Sequence, residues 1–207
     1  MMVEQNLRVD LTTLSAKDFY LKHIVKSHNW YFSDYLKVPP DELVDRMDYF
    51  KEIVSSKLKI SFHNLQIVGS AKTGYSLSPK KVLRPFHDET PDGPSSDIDI
   101  AIISEKLYQK FWDELRHTKR IQFMHYYNHL TASIFRGYIN EKDLLQIKGP
   151  CEEWEELVRP VNVSLQDNLG FVHPITYRLY RSWDDLEEYQ IIGIEKAQKV
   201  LEELNNV

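Results

Sequence analysis

The residues with the clearest chemistry lie in Ser96-Asp97-Ile98-Asp99-Ile100-Ala101-Ile102-Ile103. Read as a β-strand, this run alternates its side chains between two faces, with Ile98, Ile100 and Ile102 on one and Asp97, Asp99 and Ala101 on the other. The two aspartates then sit roughly 7 Å apart at the backbone, from a rise of about 3.3 Å per residue. Carboxylates so placed can converge on one divalent cation, or on two about 4 Å apart. That arrangement suits phosphoryl or nucleotidyl transfer, where catalysis is mostly positioning and charge neutralisation. A half-buried strand with a solvated acidic face is the plain alternative for so short a motif.

A second element lies upstream, in Leu65-Gln66-Ile67-Val68-Gly69-Ser70. Its apolar run reads as a strand. Gly69 permits close backbone approach or an unusual dihedral, and Ser70 is expected to cap a helix that begins near Ala71-Lys72, so that its amides face an incoming anion. Strand, Gly-Ser, helix start, then a strand with Asp-x-Asp is the order needed to hold a triphosphate between backbone amides and metal.

On these residues, Val68-Gly69-Ser70 and Asp97-Ile98-Asp99-Ile100, the chain resembles the DNA polymerase beta-like nucleotidyltransferase superfamily. The resemblance covers mainly Leu65 to Ile103. It implies an α+β fold of α/β type: a nucleotidyltransferase core with a small mixed sheet over residues 59–207, including a C-terminal helix, preceded by a helical extension over 1–58. It also implies transfer of a nucleoside monophosphate from an NTP or dNTP to a hydroxyl acceptor on a nucleotide, nucleic acid or protein. Mg²⁺ or Mn²⁺ would be held by Asp97 and Asp99, with Gly69 and Ser70 on the phosphates. Similarity to small bacterial members suggests a toxin–antitoxin or antiviral-defence setting. The alternative is a catalytically degenerate nucleotide-binding, antitoxin or regulatory module of the same fold.

Two features depart from the family pattern. The spacer between the motifs carries an insertion, roughly Pro79 to Ser95, whose Pro, Gly and charged residues mark a loop that brings Lys80, Lys81 and Arg84 near the site. A third carboxylate is expected on a neighbouring strand. The two strand candidates there, Val161–Leu165 and Ile175–Arg181, contain no acid. Asp167, Asp184 and Asp185 lie at or past their ends, and Asn162 is a candidate neutral ligand. Lys72, Tyr75, Arg178 and Arg181 are further nucleotide- or phosphate-binding candidates: a cation and a pocket-lining ring after the Gly-Ser turn, and two guanidinium forks for phosphate oxygens. A solvated lysine, a packed tyrosine and an edge strand with solvated arginines are the plain alternatives.

The remaining elements read as support. Ser15 suits a helix cap before Ala16-Lys17-Asp18, and a second helix after Pro39-Pro40 carries Leu43, Met47, Phe50 and Val54 at near-helical spacing. Trp30, Tyr31 and Phe32 read as core. A helical region from about Glu105 to Ser133 follows the Asp-x-Asp strand. His125 and His129 have metal-ligand spacing there without further ligands, and Arg120 with His125 fits the loose Arg-x4-His pattern of helical ribonucleases. Short helices are expected near Glu141–Ile147 and Glu152–Leu157, and a packing or dimerisation helix from Ser182 to about Leu204.

The 207 residues fit one domain, or a domain with a helical extension. A net charge of −5 argues against a broad electrostatic footprint for nucleic acid while leaving room for a local basic groove. One cysteine, Cys151, cannot form an internal disulfide, which suits a reducing compartment. No apolar window approaches membrane-spanning length and the N-terminus has no signal-peptide pattern, so a cytoplasmic location without membrane partners is the expectation.

Overall fold

A computed structural model describes residues 2–91, 93–117 and 127–205. The chain is α+β. Helix α1 (Met2–Thr13) and α2 (Ala16–Phe19) come first. Ser15 caps α2 by accepting the Asp18 N–H at 3.1 Å. Two π-helical turns, Tyr20–Val25 and Tyr31–Tyr35, lead to α3 (Leu43–Leu58), β1 (Leu65–Val68) and the single turn α4 (Ser70–Thr73). Then follow a 3₁₀ turn (Pro79–Lys81), β2 (Ile98–Ile103), α5 (Glu105–His117), α6 (Tyr127–Phe135), β3 (Tyr138–Asn140), α7 (Glu141–Leu144), α8 (Pro150–Leu169), β4 (Ile175–Tyr180) and α9 (Trp183–Asn205).

The four strands form one mixed sheet in the order β1-β2-β4-β3. β1 runs antiparallel to β2, β2 parallel to β4, and β3 antiparallel to β4. The alternation along β2 divides the interior. Ile98, Ile100 and Ile102 join Tyr177 and Leu179 of β4 in the main core, beneath buried residues of α3, α5 and α8. Ala101 and Ile103 face the other way and form a smaller cluster with Val68, Tyr138, Tyr180 and Leu186 of α9. Asp99 shares that second face, because strand neighbours two apart lie on one side. The N-terminal helices pack elsewhere on α9: Leu7, Leu11 and Phe19 meet Ile194, Ala197 and Leu201.

Val161–Leu165 is not a strand. It lies inside α8, with Val158, Val161, Leu165 and Leu169 buried and Val163 49% exposed. The five-residue alternation that suggests a strand is overruled by a longer helical periodicity, which buries one stripe against α3. Pro160 is accommodated within this helix. The strand expected at Ile175–Arg181 forms as β4. His125, Arg120 and the middle of the helical region expected after Glu105 lie outside the described residues. His129 sits in α6, its Nδ1 3.1 Å from Asp143 Oδ1.

Candidate functional site

β1 and β2 bring the two motifs together. Their antiparallel register pairs Val68 with Asp99, so Gly69 leaves β1 beside the Asp99 carboxylate. Gly69 has φ +66° and ψ −152°, a conformation that residues with a Cβ rarely adopt. A Cβ at this position would stand 2.5 Å from Asp99 Oδ2. The absence of a side chain therefore serves two purposes: the backbone turns sharply into α4, and the acid sits against the turn.

Asp97 directly precedes β2 and is half-buried, as is Asp99. Both line a cavity of about 550 Å³ with Val68, Gly69, Ser70 and Arg178. On β4, the residue in register with Asp99 is Thr176, whose hydroxyl donates to Asp99 Oδ1 at 3.0 Å. Burial raises the Asp99 carboxyl above the ordinary aspartate range, and the negative charge of Asp97 adds to this; Arg178, Thr176 and Lys142 oppose it.

Arg178 lies two residues beyond Thr176 on the same face of β4. Its guanidinium carbon is 4.6 Å from the centre of the Tyr189 ring and 5.7 Å from that of Tyr138. Packing over two rings fixes the cation, and the Tyr180 side chain also lies against the guanidinium. Its buried Nε has no hydrogen-bond partner among the described residues.

The other sequence candidates lie elsewhere. Lys72 is 7% exposed on the far side of α4, where its ammonium donates to the carbonyl of Ser27 at 2.6 Å and that of His28 at 3.3 Å. It lines a separate cavity with Asp10, His23 and Asp34. Tyr75 forms a β-bridge with Pro85 and packs against the cluster between the N-terminal helices and α9. Arg181 is three residues from Arg178, hence on the opposite side of the strand path, and makes a bidentate pair with Asp185 at 2.8 and 3.1 Å. Asn162, on α8, accepts the Tyr177 hydroxyl at 2.5 Å and is committed to the main core. Lys80 and Lys81 of the insertion reach the cavity wall, whereas Arg84 is not among the lining residues.

Several lining residues have no signature in sequence. Arg136, Lys142, Glu188, Tyr189 and Lys196 come from the loop before β3, from α7 and from α9. Only the packing of α9 over the second face of the sheet brings the C-terminal residues to the aspartates. Glu141 is buried near Asp99 but is consumed by the scaffold: it accepts Trp154 Nε1 at 2.8 Å and the Tyr177 N–H at 2.9 Å, tying α7 to α8 and β4.

Among the described residues, no group of three or more His, Cys, Asp and Glu is placed to hold a metal ion. Two carboxylates nevertheless fit Mg²⁺ bound together with substrate phosphates, because that ion commonly takes one or two protein carboxylates and completes its shell with phosphate oxygens and water. The like-charge repulsion that helps raise the Asp99 carboxyl is what a cation between the acids would relieve. Among the described residues, no helix is long and apolar enough to cross a membrane. No family model, no curated protein and no solved structure matches the chain.

Proposed function

We propose that the chain is a metal-dependent nucleotidyltransferase of the DNA polymerase beta-like type, moving a nucleoside monophosphate from a ribo- or deoxyribonucleoside triphosphate to a hydroxyl acceptor. The observation that carries this reading is the contact between the Asp99 carboxylate and the Gly69 turn at a cavity shared with Asp97, Ser70 and Arg178. Asp97 and Asp99 would hold Mg²⁺ or Mn²⁺, and the ion would supply charge neutralisation at the phosphates. The turn at Gly69 and Ser70 lets backbone and phosphate approach without a side chain between them. Arg178 supplies a fixed positive charge to the phosphates, and Thr176 orients Asp99 by occupying one of its oxygens.

The test is pyrophosphate release from each ribo- and deoxyribonucleoside triphosphate with Mg²⁺ or Mn²⁺. At least one nucleotide should give release that Asp97→Ala abolishes. No release from any nucleotide, together with no saturable nucleotide binding, would overturn the reading.

A second reading is a nucleotide-binding module without turnover. It is favoured by Thr176 standing beside Asp99 where a third carboxylate would complete a two-metal site. Saturable binding without pyrophosphate release would select it.

A further inference from the structure

Six cations line the cavity: Lys80, Lys81, Arg136, Lys142, Arg178 and Lys196. None of them pairs with a carboxylate among the described residues. Three carboxylates, Asp97, Asp99 and Glu188, line the same space, so the wall carries an excess of three positive charges in a chain whose net charge is −5. A nucleoside triphosphate with one divalent ion is a net dianion, and it does not consume that excess. Positive charge gathered in a cavity draws further anions to it.

The backbone divides these cations into two groups. Arg178 and Lys142 stand at the aspartates, where their charges oppose the burial that raises the Asp99 carboxyl. Arg136 lies two residues before β3, the strand paired with β4. Lys80, Lys81 and Lys196 form the second group. Lys196 lies seven residues beyond Tyr189 on α9, and Tyr189 is the residue whose ring covers Arg178. That spacing is about 10 Å along the helix, at a rise of about 1.5 Å per residue. Lys80 and Lys81 occupy the 3₁₀ turn, which packs against the same helix.

The 3₁₀ turn has a built platform. The Leu83 N–H donates to the Ser76 carbonyl at 2.7 Å, and the Ser76 N–H donates to the Arg84 carbonyl at 2.9 Å. Leu77, Val82 and Leu83 pack against the cluster between the N-terminal helices and α9. The start of the insertion therefore holds two ammonium groups at the cavity wall. The aspartates, the Gly69–Ser70 turn and the first group of cations suffice for one polyphosphate. The second group, about two helical turns away, suits a second anion: an ammonium is a compact charge whose donors make charge-assisted bonds to phosphate oxygens.

Resting on the nucleotidyltransferase reading, we propose that the acceptor is a hydroxyl compound that carries a phosphate of its own, and that Lys80, Lys81 and Lys196 bind this phosphate. The acceptor hydroxyl oxygen uses a lone pair to form the new bond to the α-phosphorus. The bond from the α-phosphorus to the α–β bridging oxygen breaks, and pyrophosphate leaves with that electron pair. In the balanced reaction the hydroxyl proton leaves on pyrophosphate, and the product is a phosphodiester. The acceptor's own phosphate takes no part in the bond changes and serves only to bind and orient the hydroxyl.

The experiment compares a nucleoside, its 5′-monophosphate and a short oligonucleotide ending in the same nucleoside, each with the donor found to release pyrophosphate. The phosphate-bearing acceptors should exceed the nucleoside in kcat/KM by about tenfold or more, the size of one charge-assisted contact. A preference between the monophosphate and the oligonucleotide tells a free nucleotide from a strand end as the source of that phosphate. Lys80→Ala/Lys81→Ala and Lys196→Ala should each raise the KM of the phosphate-bearing acceptor by about tenfold. They should leave the donor KM and the nucleoside's kcat/KM within about twofold, and arginine at the same positions should restore the acceptor KM. Equal kcat/KM for nucleoside and monophosphate, or alanine variants that raise the donor KM and spare the acceptor KM, would overturn the proposal while leaving nucleotidyl transfer in place. The second result would assign the lysines to the donor's triphosphate. No pyrophosphate release with any donor and acceptor would remove both this proposal and the transferase reading.

Discussion

The Asp99 carboxylate rests against the α-carbon of Gly69, with room for a hydrogen there and not for a methyl group. Gly69→Ala therefore combines a collision with backbone strain at φ +66°. Strain in such a region costs about 1–3 kcal/mol. The variant should lower the denaturation midpoint and weaken nucleotide binding together, because relief of the collision displaces either the acid or the turn. Chemical denaturation and nucleotide titration of the same preparation check this. A stable variant with unaltered binding would show that the contact is not needed.

Asp99 is held in a site that disfavours its charge. Its folded carboxyl is raised, first by burial and then by Asp97, so the folded state binds the proton more tightly than the unfolded chain does. Stability from this group is therefore greatest below the ordinary aspartate range and is lost as pH rises through the raised value. Asp99→Asn should make the metal-free protein more stable at neutral pH, by about 2–4 °C in Tm for each kcal/mol relieved. The advantage over wild type should shrink in acid, and Mg²⁺-dependent turnover should disappear. Thermal melts at pH 4 and pH 7 provide the check. An Asn variant less stable than wild type at neutral pH would contradict the assignment.

Lys72 offers a contrast, since it follows the Gly-Ser turn yet anchors the N-terminal segment. Lys72→Met removes charge-assisted bonds to the carbonyls of Ser27 and His28, each of the kind worth about 1.5–3 kcal/mol. The loss should appear in Tm, with nucleotide affinity within about twofold of wild type. Burial pulls the ammonium down to about 8. An unfolded lysine titrates near about 10.4, so the unfolded chain binds more protons between those values. Wild-type stability should rise across that window, and the Met variant should lose that rise. Urea denaturation at pH 7.5 and pH 9.5 measures both effects.

The elements that position the aspartates were legible because their signals are local. Alternating isoleucines define β2, and a Gly-Ser after an apolar run defines the turn. Val161–Leu165 misleads because five alternating residues satisfy a strand and a helix equally well. The stripe from Val158 to Leu169 decides for the helix only over a longer window. Arg178 and Arg181 could have been separated in advance, since odd spacing on a strand means opposite faces. Lys72 could not, because the direction of its side chain depends on a one-turn helix and on carbonyls more than forty residues away in sequence. The basic residues of α7 and α9 were equally hidden: they reach the cavity only through long-range packing of the C-terminal helix.

The insertion is latched to the core by His173, which is 3% exposed. Its Nε2 lies 3.0 Å from Asp88 Oδ1, its Nδ1 lies 3.2 Å from the Tyr31 hydroxyl, and Tyr35 donates to the same Asp88 oxygen at 2.7 Å. Phe86 packs its ring 4.6 Å from the imidazole. Burial lowers the His173 pKa, with Asp88 opposing, so the folded state binds its proton later than the unfolded chain on acidification. Stability is then lost as pH falls from the ordinary histidine range through the lowered value. The latch belongs to the same inserted segment as Lys80 and Lys81, which line the cavity. Asp88→Ala should speed proteolytic cleavage within residues 79–95 severalfold and weaken binding of phosphate-bearing ligands at pH 7.5. His173→Phe should reduce the loss of stability between pH 7.5 and pH 5.5 relative to wild type. Cleavage rates unaffected by Asp88→Ala, with an unchanged pH dependence in His173→Phe, would show that the aromatic packing around Phe86 holds the insertion without the ionic contact.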